Sequence, residues 1–135
     1  MKLTQSQRIL IVADDAQSEV MRAALAARGF AVTAAPDYES AYRQLCETPF
    51  ALVVIDLVET AAGLEFIKRV QSTTDLTQPL LLVIAEWGTG GAMLALSQGA
   101  DAYEPQPVDA ARLIDSVERL LGTKALSARG KIGAE

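Results

Sequence analysis

Three carboxylates follow two strongly apolar segments of the sequence. Asp56 comes directly after residues 51–55, and Asp14 and Asp15 come directly after residues 8–13. A charge buried without a partner is costly or shifts its pKa, so Asp56 either points into solvent or belongs to a site. Asp14 and Asp15 could instead cap the following helix. Because Mg²⁺ prefers hard oxygen ligands, the pattern indicates a cation site if the fold brings these carboxylates together.

The composition excludes several classes of chemistry. The chain has 135 residues, a formal net charge of −5 and no His, which excludes catalytic triads built on His and zinc sites ligated by His. An acidic chain is a poor match for nucleic acid, which needs a basic surface. The single Cys46 excludes an internal disulfide and is consistent with the cytoplasm; we expect it in the core rather than as a nucleophile. No apolar run reaches the roughly 20 residues of a membrane span.

The elements that would position these carboxylates alternate between strand and helix. Apolar runs predict strands, and apolar positions at helical spacing predict helices. The predicted strands are residues 8–13, 31–35, 51–55, 80–85 and a short one within 99–103. The predicted helices are residues 17–28 (with Gly29 as the C-cap), one opening at Pro36-Asp37, and residues 63–70, 92–97 and 108–121. Five such units predict an α/β, doubly wound parallel sheet. With strand order 2-1-3-4-5, Asp14, Asp15 and Asp56 meet at the carboxyl edge of the sheet.

The predicted domain boundaries follow from these elements. Residues 1–7 are a polar N-terminal tail without a signal-peptide core, and residues 8–121 form one domain. Residues 122–135 have no apolar period and are expected to be a C-terminal tail or the start of a linker.

Four sequence blocks resemble the receiver domain of two-component response regulators. They are RILIVADD, ALVVIDL, PLLLVIA and QGADAYEPQP, and they occur in the family's order and spacing. The resemblance covers about residues 8–121 and implies the five-stranded, flavodoxin-like (CheY-like) fold. It also implies a signalling domain rather than an enzyme.

The resemblance assigns a role to each matching position. Asp56 matches the aspartate that accepts a phosphoryl group from a phosphohistidine. Mg²⁺ would be held by Asp14, Asp15, Asp56 and the backbone carbonyl of Val58. The implied partners are a histidine kinase or a histidine phosphotransfer protein, and a homodimer would form through the face of helix 4, strand 5 and helix 5. A cytoplasmic location is implied as well.

Several positions depart from the family pattern. Ala13 stands where the first acidic residue is expected, unless a one-residue slip makes Asp14-Asp15 the acidic pair. Ile84 replaces the Thr or Ser that contacts the phosphoryl group, and Gln106 replaces a Lys, whereas Tyr103 keeps the aromatic switch position. Two functions therefore stay open.

The first is a phosphorylated receiver with weakened Mg²⁺ binding. The second is a pseudo-receiver, a protein-interaction module that does not depend on phosphorylation. A nucleotide- or flavin-binding enzyme on the same fold is disfavoured, because no phosphate loop follows the first strand.

Overall fold

Five strands alternate with five helices in the computed structural model, which describes residues 8–13, 15–56, 60–73, 78–85, 91–105 and 109–133. The elements in chain order are β1 (Arg8–Val12), α1 (Asp15–Ala26), β2 (Ala31–Ala35), α2 (Tyr38–Glu47), β3 (Leu52–Asp56), α3 (Thr60–Ser72), β4 (Leu80–Ala85), α4 (Gly91–Gln98), β5 (Ala102–Pro105) and α5 (Ala110–Gly133).

The strands form one parallel sheet in the order β2-β1-β3-β4-β5, so the predicted topology is confirmed. The register between β1 and β3 places Val12 opposite Ile55, and the register between β3 and β4 places Asp56 opposite Ile84. All five carboxyl ends therefore lie at one edge of the sheet. In parallel βαβ units this edge is where ligands bind.

The central strands are apolar throughout because helices cover both faces of the sheet. Alternate residues enter two different clusters. Leu10, Val53 and Val83 pack in the cluster that receives residues of α2, α3 and α4. Ile11 and Leu82 pack in the cluster that receives residues of α1 and α5. The period of two along each strand thus assigns every side chain to one helical layer.

Helix ends follow the local chemistry that the sequence predicts. Gly29 has φ +96°, a conformation that residues with a Cβ rarely adopt. The backbone N–H groups of Gly29 and Phe30 donate to the carbonyls of Ala26 and Leu25, so Gly29 closes the turn after α1 as expected of a C-cap. Asp37 caps α2, accepting hydrogen bonds from the backbone N–H of Ser40 at 2.8 Å and from its hydroxyl at 2.6 Å. These two bonds lower the pKa of the Asp37 carboxyl, because they favour its charged form.

Two sequence-based predictions are wrong. The last helix was predicted to end at residue 121, but α5 continues to Gly133. Residues 122–133 lack an apolar period in the sequence, but their Ala, Leu, Lys and Arg residues are good helix formers, and extending an existing helix is easy. Cys46 was expected in the core and is exposed, since it follows the buried Leu45 and is rotated about 100° from it around α2.

Within the part of the chain that the structure describes, no helix is both long enough and apolar enough to cross a lipid bilayer.

Candidate functional site

The candidate site is a row of residues across the carboxyl edge of the sheet. Asp56 is the last residue of β3 and pairs with Ile84 of β4, which in turn pairs with Glu104 of β5. Continuing the register from Val12 and Ile55 places Ala13 on the other side of Asp56. In a parallel sheet, paired residues face the same side, so this row faces the layer of α1 and α5, where Ala13 and Ile84 are buried.

Asp56 is buried at the end of its strand. Only 7% of the residue is exposed, and Ile84 beside it is 2% exposed. The alternative of a carboxylate that simply points into solvent is therefore wrong. A buried carboxylate is retained where it has hydrogen-bonding or ionic partners, and this is the environment expected of a functional group.

The other predicted site residues are only partly within the described structure. Asp14, Val58 and Gln106 lie outside the described residues. Asp15 begins α1, but its side chain is not described. Tyr103 pairs with Val83 on β4 and packs, half-buried, against the cluster of the α2, α3 and α4 layer. The convergence of Asp14 and Asp15 with Asp56 therefore stays a prediction.

The donor chemistry at this edge is compatible with Mg²⁺. The residues described contain no group of three or more His, Cys, Asp or Glu able to hold a metal, and Asp14 is not among them. What the structure supplies is the buried carboxylate of Asp56, at the edge where α1 begins with Asp15, the third residue after β1. Carboxylate oxygens are the hard ligands that Mg²⁺ prefers.

Glu104 is a second buried carboxylate that the sequence analysis missed. It is 8% exposed, and one carboxylate oxygen accepts a hydrogen bond from the Ser116 hydroxyl. The other accepts from Nε of Arg112 at 3.1 Å. Ser116 is 2% exposed, so α5 meets β5 through a polar contact. Two features of the sequence could have indicated this contact: an acidic residue inside a short strand and a Ser on the apolar stripe of α5.

One groove lies away from this row. It has a volume of about 500 Å³ and is lined by Glu65, Lys68, Arg69, Gln71, Ser72 and Gln98. These residues occupy the later turns of α3 and α4, and helices in βαβ units run antiparallel to the strands. The groove is therefore at the amino edge of the sheet, opposite Asp56.

Comparisons with known proteins agree with this architecture. Residues 9–118 match the response regulator receiver domain family. The phosphate regulon transcriptional regulatory protein PhoB of Klebsiella pneumoniae is 31% identical over an alignment of 121 residues, and the match covers 86% of this chain and 52% of that protein. PhoB of Escherichia coli K12 is 30% identical with the same coverage. The chain thus spans about half the length of the curated relatives it matches.

A solved structure gives the same result. The signal receiver domain of a response regulator from Bermanella marisrubri superposes with a TM-score of 0.80 at 28% identity, covering 87% of this chain and 99% of that one. With the family match over most of the sequence and the sheet order already established, the conclusion is direct: the chain is a member of the response regulator receiver domain family of two-component signalling.

Proposed function

We propose that this receiver domain accepts a phosphoryl group on the side chain of Asp56. The observation that carries the proposal is the burial of this carboxylate at the end of β3, at the ligand-binding edge of the sheet. A carboxylate oxygen of Asp56 would form a bond to phosphorus while the bond between phosphorus and the donor breaks, and the donor leaves with that electron pair. The proposed donor is a histidine kinase or a histidine phosphotransfer protein.

Mg²⁺ is the proposed cofactor, held by Asp14, Asp15, Asp56 and the carbonyl of Val58. When bound, it would neutralise charge on the phosphoryl oxygens, which is the main requirement of phosphoryl transfer. The chain's own task is to hold the Asp56 carboxylate in line with the donor. Its fixed position in β3, paired with Ile84 on one side, supports that role.

The test uses a small phosphoryl donor and the intact chain. Incubation with acetyl phosphate and millimolar Mg²⁺ should add one phosphoryl group, detected by intact mass, as acetate leaves. Beryllofluoride, a mimic of the phosphoryl group, should change the fluorescence of Trp87, the single tryptophan of the sequence. The matched pair of variants is Asp56→Asn, which should abolish both responses, and Asp37→Asn, at an exposed helix cap, which should leave both intact.

The proposal fails if the wild type shows neither the adduct nor a response to beryllofluoride, or if Asp56→Asn still carries the adduct.

A second candidate function is that of a pseudo-receiver that acts through protein contacts alone. The supporting observation is the outer surface of α4, where Met93, Leu94 and Leu96 are 73%, 49% and 40% exposed. The sequence of α4, GAMLALSQ, contains no charged residue. Apolar side chains grouped on one exposed helix are typical of interaction surfaces, and α4 belongs to the face through which a homodimer is proposed to form.

Sedimentation of the same samples separates the two candidates. Self-association or partner binding that is unchanged by beryllofluoride, in a protein without a phosphoryl adduct, would favour the pseudo-receiver. Association that tightens when beryllofluoride and Mg²⁺ are added would favour the phosphorylated receiver.

A further inference from the structure

Among the segments that follow the strands and the first four residues of each helix, the sequence contains one Lys or Arg. The segments that follow the five strands, residues 13–14, 36–37, 57–59, 86–90 and 106–109, contain no Lys or Arg. Among the first four residues of each helix, which lie at the same edge, Arg112 of α5 is the one Lys or Arg. If a Lys or Arg from these segments or helix starts contacts a group on Asp56, it must therefore be Arg112.

The position of Arg112 is fixed by local hydrogen bonds. Asp109 accepts a hydrogen bond from the backbone N–H of Arg112 at 2.9 Å and caps α5. The guanidinium is held at Glu104 through its Nε. That bond uses one of five N–H donors, and the Arg112 side chain is 61% exposed. The guanidinium of Arg112 is thus bonded to Glu104 through Nε–H, and its other N–H groups can reach water.

Glu104 and Asp56 share one row of the sheet with Ile84 between them. Two spacings between neighbouring strands separate their Cα atoms by about 10 Å. Both carboxylates are buried, at 7% and 8% exposure, so charges in this row are weakly screened. A phosphoryl group on Asp56 would bring a further negative charge toward Arg112.

We propose that Arg112 is the cation that contacts the phosphoryl group on Asp56, and that Glu104 competes with the phosphoryl group for the donors of Arg112. The inference rests on the proposed phosphorylation of Asp56. Arginine is well suited to this role because its planar donors match phosphoryl oxygens and its charge does not depend on pH. Position 106 carries Gln, so the segment after β5 supplies no ammonium group.

The experiment compares four proteins: the wild type, Arg112→Gln, Glu104→Gln and the control Arg119→Gln. Arg119 is also on α5, is 61% exposed and pairs with Asp115 one turn away. The readouts are the affinity for beryllofluoride at saturating Mg²⁺, the affinity for Mg²⁺ alone, and the NMR signal of the Arg112 Nε–H group.

Arg112→Gln should weaken beryllofluoride binding about 10-fold or more, the effect of losing one charge-assisted hydrogen bond. It should strengthen binding of Mg²⁺ alone by about 2- to 10-fold, because a nearby positive charge is removed. Glu104→Gln should have the opposite effects: it should strengthen beryllofluoride binding and weaken the binding of Mg²⁺ alone. The Arg112 Nε–H signal should shift when beryllofluoride binds, and Arg119→Gln should match the wild type throughout.

Several results would overturn the inference. If Arg112→Gln and Glu104→Gln change both affinities in the same direction, the pair is merely a link between β5 and α5. If Arg112→Gln matches Arg119→Gln while the wild type binds beryllofluoride, the inference fails and the proposed function stands. If the wild type binds Mg²⁺ but not beryllofluoride, both the inference about Arg112 and the proposed phosphorylation of Asp56 are contradicted.

Discussion

The contact between Glu104 and Ser116 allows a quantitative test of how α5 is held on the sheet. Ser116→Ala removes a hydrogen bond to a carboxylate whose side chain is 11% exposed. Hydrogen bonds to charged groups are worth about 1.5–3 kcal/mol, and we expect the free energy of unfolding to fall by that amount. Arg112 remains as a partner, but its exposed charge adds little stability.

A second variant removes the charge of Glu104 rather than its hydrogen-bond partner. Glu104→Leu places an apolar residue on β5, and the Ser116 hydroxyl can then bond to the carbonyl one turn earlier in α5. We expect this variant to be within about 1 kcal/mol of the wild type. In the Glu104→Leu background, Ser116→Ala should cost almost nothing, so the double-mutant cycle should show a coupling of about 1.5–3 kcal/mol.

Urea unfolding followed by circular dichroism measures all four proteins, with the m-value expected to stay constant. Ser97→Ala is the control, because Ser97 is exposed and its hydroxyl bonds to a backbone carbonyl of its own helix at 2.9 Å. We expect it to lie within about 0.5 kcal/mol of the wild type. The reasoning is refuted if Ser116→Ala is no more costly than Ser97→Ala, or if the effects of Glu104→Leu and Ser116→Ala simply add.

Two further predictions concern the core and a helix cap. Leu82→Ala, at a residue that is 0% exposed, should cost about 2–5 kcal/mol of unfolding free energy, whereas Leu94→Ala on the surface of α4 should cost far less; equal midpoints in urea would contradict the assignment of Leu82 to the core. Asp37→Ala should reduce stability at neutral pH, and because the folded-state pKa of Asp37 is lowered, the difference from the wild type should disappear as the pH falls through that pKa. Asp37→Asn keeps a capping side chain without the titration, and a wild-type advantage over Asp37→Ala that persists in acid would argue against the cap.

Apolar runs allowed the sheet to be predicted closely. β2 and β4 have the predicted bounds of 31–35 and 80–85, because both segments are mainly apolar and a Gly or Pro shortly precedes each. The C-cap Gly29 and the opening of a helix at Pro36-Asp37 were also predicted from local chemistry, since both depend on a few neighbouring residues. These features are encoded over short distances.

Features that depend on distant contacts were not predictable in the same way. The contact between Glu104 and Ser116 joins residues twelve positions apart and requires knowing which side of α5 meets β5. Only the register shows that Glu104 shares a row with Asp56. The sequence placed Asp56 at the end of a strand but left open whether it points into solvent, and its burial is seen only in the structure. The approach of Asp14 to Asp56 depends on the conformation after β1 and stays a prediction.

The place of β1 in the sheet has a consequence for folding. β1 is the first strand in the chain, yet it lies between β2 and β3, and its pairing with β3 joins Ile9 to Leu52. Until β3 docks, one side of this mainly apolar strand has unpaired backbone groups, which can pair with another chain. Parallel pairing between distant segments is slow, so we expect the chain to be more prone to aggregate before β3 docks than in its native state.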